Sequence, residues 1–171
     1  MNRKRKQLSL LIEGNQSQGI EEVRRKHNPL QYGLIQSHVT LCREDEIDKL
    51  DMVLGNLSKL KQEPFEIKLE TVKRFSEGKG VLIPVNDQDG KLQNLRKFIL
   101  KGIISFPREL QAHITLMHPR NSACTGQLFE EIKKVEFPAT IKFSKISLIE
   151  QETGKKWNVW NVLKEFKLKP E

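Results

Sequence analysis

Cysteine is scarce in this chain, two of 171 residues, and neither Cys42 nor Cys124 belongs to a Cys-x-x-Cys pair or lies near a histidine cluster. A disulfide framework and a structural zinc site are therefore not expected, and a reducing compartment fits. Long apolar runs are missing too. The longest, Ser9–Ile12 and Val81–Val85, are strand-length and far below the roughly 18 residues of a membrane span. The basic opening Met1–Gln7 is followed only by Leu8–Ile12 before Glu13, too little for the apolar core of a secretory signal, so a cytoplasmic protein without membrane contact is expected. Ten glycines and seven prolines exclude collagen-like and low-complexity classes. No glycine-rich phosphate loop occurs, since Glu77-Gly-Lys-Gly80 is too short and lacks the continuation that loop needs.

Basic residues are the surplus: 30 Lys and Arg against 22 Asp and Glu give a net charge of +8. That balance suits a polyanionic partner such as RNA, although solubility alone also accounts for it. The excess is spread along the chain, with modest clusters at Arg3–Lys6 and at Lys164, Lys167 and Lys169.

The apolar pattern predicts strands at Leu8–Ile12, Leu34–Leu41 and Phe65–Thr71, with helices at Gly19–Lys26 and Glu44–Leu60 between them. The same order returns as a strand at Gly80–Val85, a helix at Gln88–Ile104, a strand at Leu110–Met117, a helix at Gln127–Val135 and a strand at Phe137–Leu148. A turn at Glu152–Lys155 then leads to a last strand within Trp157–Leu168. The expected architecture is a single α+β domain over residues 1–171. It is bilobal, with two pseudo-symmetric strand-helix-strand-helix-strand repeats at about 7–76 and 77–169, mostly antiparallel sheets and a central cleft. A monomer is expected.

One tetrapeptide pattern occurs once in each repeat: His38-Val-Thr-Leu41 and His113-Ile-Thr-Leu116. Two chance matches of this kind in such a length are expected on the order of once in thousands of sequences. In a strand, residues two apart share a face, so each motif sets an imidazole beside a hydroxyl while Val39 and Leu41, or Ile114 and Leu116, point to the other side. Two imidazoles and two hydroxyls suit phosphoryl chemistry. In-line displacement needs a base at the attacking oxygen and an acid at the leaving one, and histidine serves as either near neutrality. The hydroxyls can donate to the non-bridging oxygens, and no metal is required.

Other residues read differently. His27 suits a helix end on electrostatic grounds alone. His118 has the opposite parity to His113 and precedes Pro119, so it is expected to turn away from the cleft. Cys42 shares the parity of His38 and Thr40 but has no neighbour that would lower its pKa, so it is expected at the cleft edge or in the core. Arg43 can reach a substrate phosphate as a second-tier contact or pair with the acids Glu44–Glu46. Trp157 and Trp160 are expected in the core rather than stacked on bases.

The paired motifs resemble the two-histidine phosphoesterase superfamily, defined by two His-x-Thr/Ser motifs flanked by apolar residues. It includes RNA 2′,3′-cyclic phosphodiesterases and bacterial proteins named 2′-5′ RNA ligases. The likeness runs over nearly the whole chain, from the opening strand through both motifs to a closing hairpin. It implies motif strands facing one another across a cleft and metal-independent catalysis, with His38 and His113 as acid and base and Thr40 and Thr115 holding the phosphate. The implied substrate is a nucleotide or RNA bearing a cyclic phosphate or a 2′-5′ linkage, with no cofactor. A non-catalytic module that holds a nucleotide or RNA end in the same cleft is the competing expectation.

Overall fold

The computed structural model describes residues 2–154 and 158–169. The chain opens with β1 (Lys4–Leu11), whose burial rises from exposed at Lys4 to full burial from Leu8 onward. α1 (Gln18–His27) follows, burying Ile20 and Val23 on one face and carrying Arg24, Arg25, Lys26 and His27 in its last turn, where cations favour the helix dipole. Asn28 caps α1. Pro29 then begins α2 (Pro29–Leu34), because proline's fixed φ suits the first position of a helix. The strand expected over Leu34–Leu41 therefore starts later, as β2 (His38–Cys42).

The helix expected over Glu44–Leu60 is also shorter. Glu44–Glu46 forms a 3-10 turn and α3 covers Leu50–Ser58. The Glu46 carboxylate accepts a hydrogen bond from the Arg43 amide at 2.8 Å and so folds back on its own turn, which detaches it from the helix. β3 (Phe65–Leu69) alternates buried and exposed residues as its period of two requires. Then come β4 (Lys73–Arg74), β5 (Val81–Asn86), α4 (Lys91–Ile99), β6 (His113–Met117) and α5 (Gly126–Lys133). The segment Phe137–Leu148, expected as one strand, is broken at Ser144 into β7 (Thr140–Phe143) and β8 (Lys145–Glu152), and β9 (Asn161–Lys167) returns as the partner of β8. The expected core position of Trp157 lies outside the described residues.

The strands run in the order β7-β3-β5-β6-β2-β1-β8-β9, every neighbouring pair antiparallel, with β4 alongside β5. β6 and β2 are the centre, and the order is mirrored outward from them. Only Ser144 separates β7 at one end from β8 near the other, so the sheet must curl until its ends approach. The sequence halves do not segregate: β3 sits with β5 and β6, whereas β8 and β9 sit with β1 and β2. Helices cross over as well, α1 packing on β6 and α4 on β2. One core results, and Val39, Leu41, Ile114 and Leu116 on the inner face of the central strands are fully buried within it.

Candidate active site

The central pair β2 and β6 is antiparallel with Val39 directly opposite Ile114. Continuing that register places His38 across from Thr115 and Thr40 across from His113. Both strands show the same burial sequence: His and Thr half-buried, the alternating apolar residues buried. Opposed residues in such a ladder have Cβ atoms about 5 Å apart and diagonal ones about 7–8 Å, so the two imidazoles occupy one diagonal of a four-sided patch and the two hydroxyls the other.

The flanking strands repeat this equivalence. On β1, Leu8 pairs with Cys42 and Ser9 with Thr40; on β5, Val81 pairs with Met117 and Leu82 with Thr115. Each motif strand thus carries its extra residue at the same place, Leu41 or Leu116, a bulge of the kind that re-aims neighbouring side chains. The amide of Ile12 donates to the Ser37 carbonyl at 3.0 Å, and that of Val85 to the Ala112 carbonyl at 2.9 Å.

The imidazoles are held alike. His38 Nδ1 lies 2.8 Å from the Gln36 carbonyl oxygen, and His113 Nδ1 lies 2.9 Å from that of Gln111. A carbonyl only accepts, so Nδ1 carries the hydrogen in both rings and Nε2 is the nitrogen left for chemistry. The His113 ring also meets the Phe75 ring edge-on, centroids 5.6 Å apart at 89°.

Buried ion pairs set the approach to each motif. Arg24, whose side chain is 2% exposed, pairs with Glu21 at 2.8 Å and donates from Nη2 to the Ile35 carbonyl at 2.6 Å. Glu21 in turn accepts from the Ser37 amide at 2.7 Å, so α1 grips the backbone that enters β2. On the other side, Arg96 forms two bonds with Glu46, at 2.7 and 3.0 Å, and donates to the carbonyls of Leu41 and Arg108. Burial alone would favour a neutral Glu46, but Arg96, the Arg43 amide and Arg108 outweigh it and hold the carboxyl down at about 2.

All four motif residues line one cleft of about 960 Å³. Arg5, Arg24, Arg43, Arg108 and Arg120 line it as well, against the carboxylates of Glu109 and Glu152, so basic side chains outnumber acidic ones in its lining. Loss of hydration pushes the His38 imidazole down to about 4. The charges of Arg24, His113 and His118 act in the same sense, while the Gln36 carbonyl opposes them.

Arg43 lines the cleft, and its Nε lies 3.8 Å from Asp45, one of the acids it was expected to pair with. Cys42 is fully buried, and burial pushes its thiol up to about 12, which removes it as a nucleophile. Among the described residues, no group of three or more His, Cys, Asp or Glu side chains is arranged to hold a metal ion.

Two expectations need correction. His118 does not turn away: it lines the cleft, because β6 ends at Met117 and strand parity stops with it, and the Arg120 amide holds His118 Nδ1 at 3.0 Å. Trp160 lines the cleft instead of joining the core, since it precedes β9 and its amide donates to the carbonyl of Leu34, another lining residue. The Arg5 guanidinium lies 4.8 Å from the centre of the Trp160 ring. By sequence Arg5 is only one member of the basic cluster Arg3–Lys6, because β1 reaches the cleft through the sheet order, and Arg120 carries no signal, because it lies beyond the end of β6.

A family model described as the 2′-5′ RNA ligase superfamily matches residues 13–155. Among solved structures, the chain is similar to E. coli LigT in its apo form, with a TM-score of 0.70 at 18% identity over 98% of this chain and 99% of that one. It is similar to a protein described as a phosphoesterase, with a TM-score of 0.70 at 17% identity over 98% and 99% of the two chains. TT0787 of Thermus thermophilus matches with a TM-score of 0.65 at 18% identity, again over 98% and 99%. No curated protein matches. With a family match spanning most of its length, both motifs within that span and a fold shared with these structures, the chain belongs to the 2′-5′ RNA ligase superfamily.

Proposed function

We propose that this protein is a metal-independent phosphodiesterase that opens 2′,3′-cyclic or 2′-linked phosphoesters of nucleotides or RNA ends. The observation that carries the reading is the mirrored anchoring of His38 and His113. Each ring is fixed through Nδ1 to the carbonyl two residues upstream, and the register sets the two on one diagonal of the patch, where Cβ atoms lie about 7–8 Å apart.

In hydrolysis, one imidazole accepts a proton from water as the new O–P bond forms. Its twin gives a proton to the ribose oxygen as the old P–O bond breaks. Thr40 and Thr115 donate hydrogen bonds to the non-bridging oxygens, where charge builds up, and Arg43 adds a second-tier contact to the substrate phosphate. When the 5′-hydroxyl of a second chain attacks in place of water, the new P–O5′ bond forms as the P–O3′ bond breaks, which gives a 2′-5′ linkage from the same site, and the roles of the two imidazoles exchange when that linkage is cleaved back to the cyclic phosphate. E. coli LigT, which shares the fold, has been solved with phosphate, with 3′-AMP and with NADP+, and these ligands support a phosphate-bearing nucleotide in this cleft.

The test is a panel of 2′,3′-cyclic nucleotides, 2′-5′ dinucleotides and cyclic-phosphate RNA assayed in EDTA. Turnover of a cyclic phosphate is expected. Tight binding without turnover across the whole panel would instead identify a binding module.

A further inference from the structure

The cleft extends beyond the two motifs to a second group of cations. Arg5, on β1, is oriented by neutral partners: its Nε donates to the Gln151 side-chain oxygen at 2.7 Å, and its guanidinium lies over the Trp160 ring at 4.8 Å, while the charge of Glu44, which pairs with Arg3, also acts on it. Gln151 is itself buried and donates to the Asn158 carbonyl at 2.7 Å, so the amide that aims Arg5 is fixed in turn. An amide and an aromatic face hold a guanidinium without neutralising it.

By contrast, three other arginines of the cleft have carboxylate partners: Arg24 with Glu21, Arg43 with Asp45, and Arg108 with Asp45 and Glu46. Arg120, just past β6, also lines the cleft, and its charge opposes that of Arg5. His118, which lines the same cleft, has its pKa lowered by burial and by the charges of Arg120, Arg5 and His113. Two guanidiniums brought together in this way are stabilised by an anion shared between them. Glu152 also lines the cleft, and the wall is therefore not uniformly basic.

We propose that Arg5 and Arg120 form a second phosphate subsite, which binds the phosphate on the 5′ side of the nucleotide whose 2′ or 3′ phosphate lies between the two histidines. The proposal rests on the reading of the histidine pair as the primary phosphate site. It narrows the substrate to a nucleotide carrying phosphate on both sides of its ribose. The 5′ group can be a terminal monoester or the next phosphodiester of a chain.

The test is equilibrium binding by titration calorimetry at one fixed salt concentration, comparing 3′-AMP, adenosine 3′,5′-bisphosphate and the dinucleotide ApAp. These carry respectively no 5′ phosphate, a 5′ monoester and a 5′ phosphodiester. For the wild-type chain, at least one of the two larger ligands is expected to bind about tenfold or more tighter than 3′-AMP. That ratio is expected to fall to within about twofold in Arg5→Gln and in Arg120→Gln. Arg120 is exposed and follows Pro119, so its replacement does not threaten the fold if the strand variant proves unstable.

A monoester gain alone assigns the subsite to 5′-terminal phosphates, and a gain with ApAp assigns it to the chain. A wild-type ratio below twofold for both ligands, or a ratio that survives in both arginine variants, overturns the proposal. Because binding is the readout, a subsite that passes while no cyclic phosphate is turned over separates failure of the catalytic reading from failure of this one.

Discussion

Val39 and Ile114 face each other at the centre of the sheet, and the site is mirrored about that pair. On either side of it lie an imidazole anchored to an upstream carbonyl, a hydroxyl two residues on, and a flanking strand with the same register shift. A duplicated arrangement sets one imidazole at each end of the patch, and the proposed in-line displacement at phosphorus uses one as base and the other as acid.

The hydroxyls should act as an equivalent pair. Thr40→Val and Thr115→Val each keep a β-branched strand residue while deleting one donor. Each is expected to lower kcat/KM on 2′,3′-cyclic AMP by about a hundredfold, the scale of one oxyanion-type donor. Steady-state kinetics on both variants checks this, and a change smaller than threefold in either would remove that hydroxyl from the phosphate grip.

His38 should titrate far below an ordinary histidine. Its imidazole is held at about 4, so in the unliganded protein it stays neutral at pH 5 to 7. A bound anion favours the imidazolium and raises that pKa, and by linkage the anion must bind more tightly as pH falls toward 4. Sulfate is a suitable probe because it does not itself titrate in this range. NMR titration of the ring Cε1–H, assigned with His38→Ala, is expected to show the low midpoint and its upward move with sulfate. An ordinary midpoint near 6.5 without ligand contradicts it.

Glu46 ties the turn after β2 to α4 and to the loop entering β6. Its folded-state pKa of about 2 lies below the unfolded value. Its contribution to stability is therefore fully present above about pH 4.3 and is lost as pH falls through the folded value. Glu46→Gln leaves the fully buried Arg96 without its counter-charge, at a cost of about 3–5 kcal/mol. For a chain of this size that corresponds to a fall in Tm of about 10 °C. Thermal unfolding at pH 7 measures it, and a shift under 3 °C would mean that the pair holds nothing in place.

How much of this was readable in advance depends on the range of the interaction. The motif strands were legible because period-two alternation is local: His38-Val-Thr-Leu41 fixes which side chains share a face whatever else the chain does. His118 was misplaced because that alternation ends with the strand at Met117, and no local rule orients the residues beyond it. Trp160 and Arg5 meet only because β1 and β8 lie side by side, a pairing between residues about 150 positions apart. The placement of β3 beside β5, and of β8 beside β1, escaped the reading in the same way. The anchors of the two rings are backbone carbonyls, which any residue at positions 36 and 111 would supply, so residue type carries no trace of them.

Hydrolysis of 2′,3′-cyclic AMP in EDTA by the wild-type chain, His38→Ala and His113→Ala tests the central claim most directly. Turnover by the wild type and a fall of about a thousandfold or more in each variant are predicted. Undiminished turnover in either variant would show that the paired imidazoles are not the acid and base.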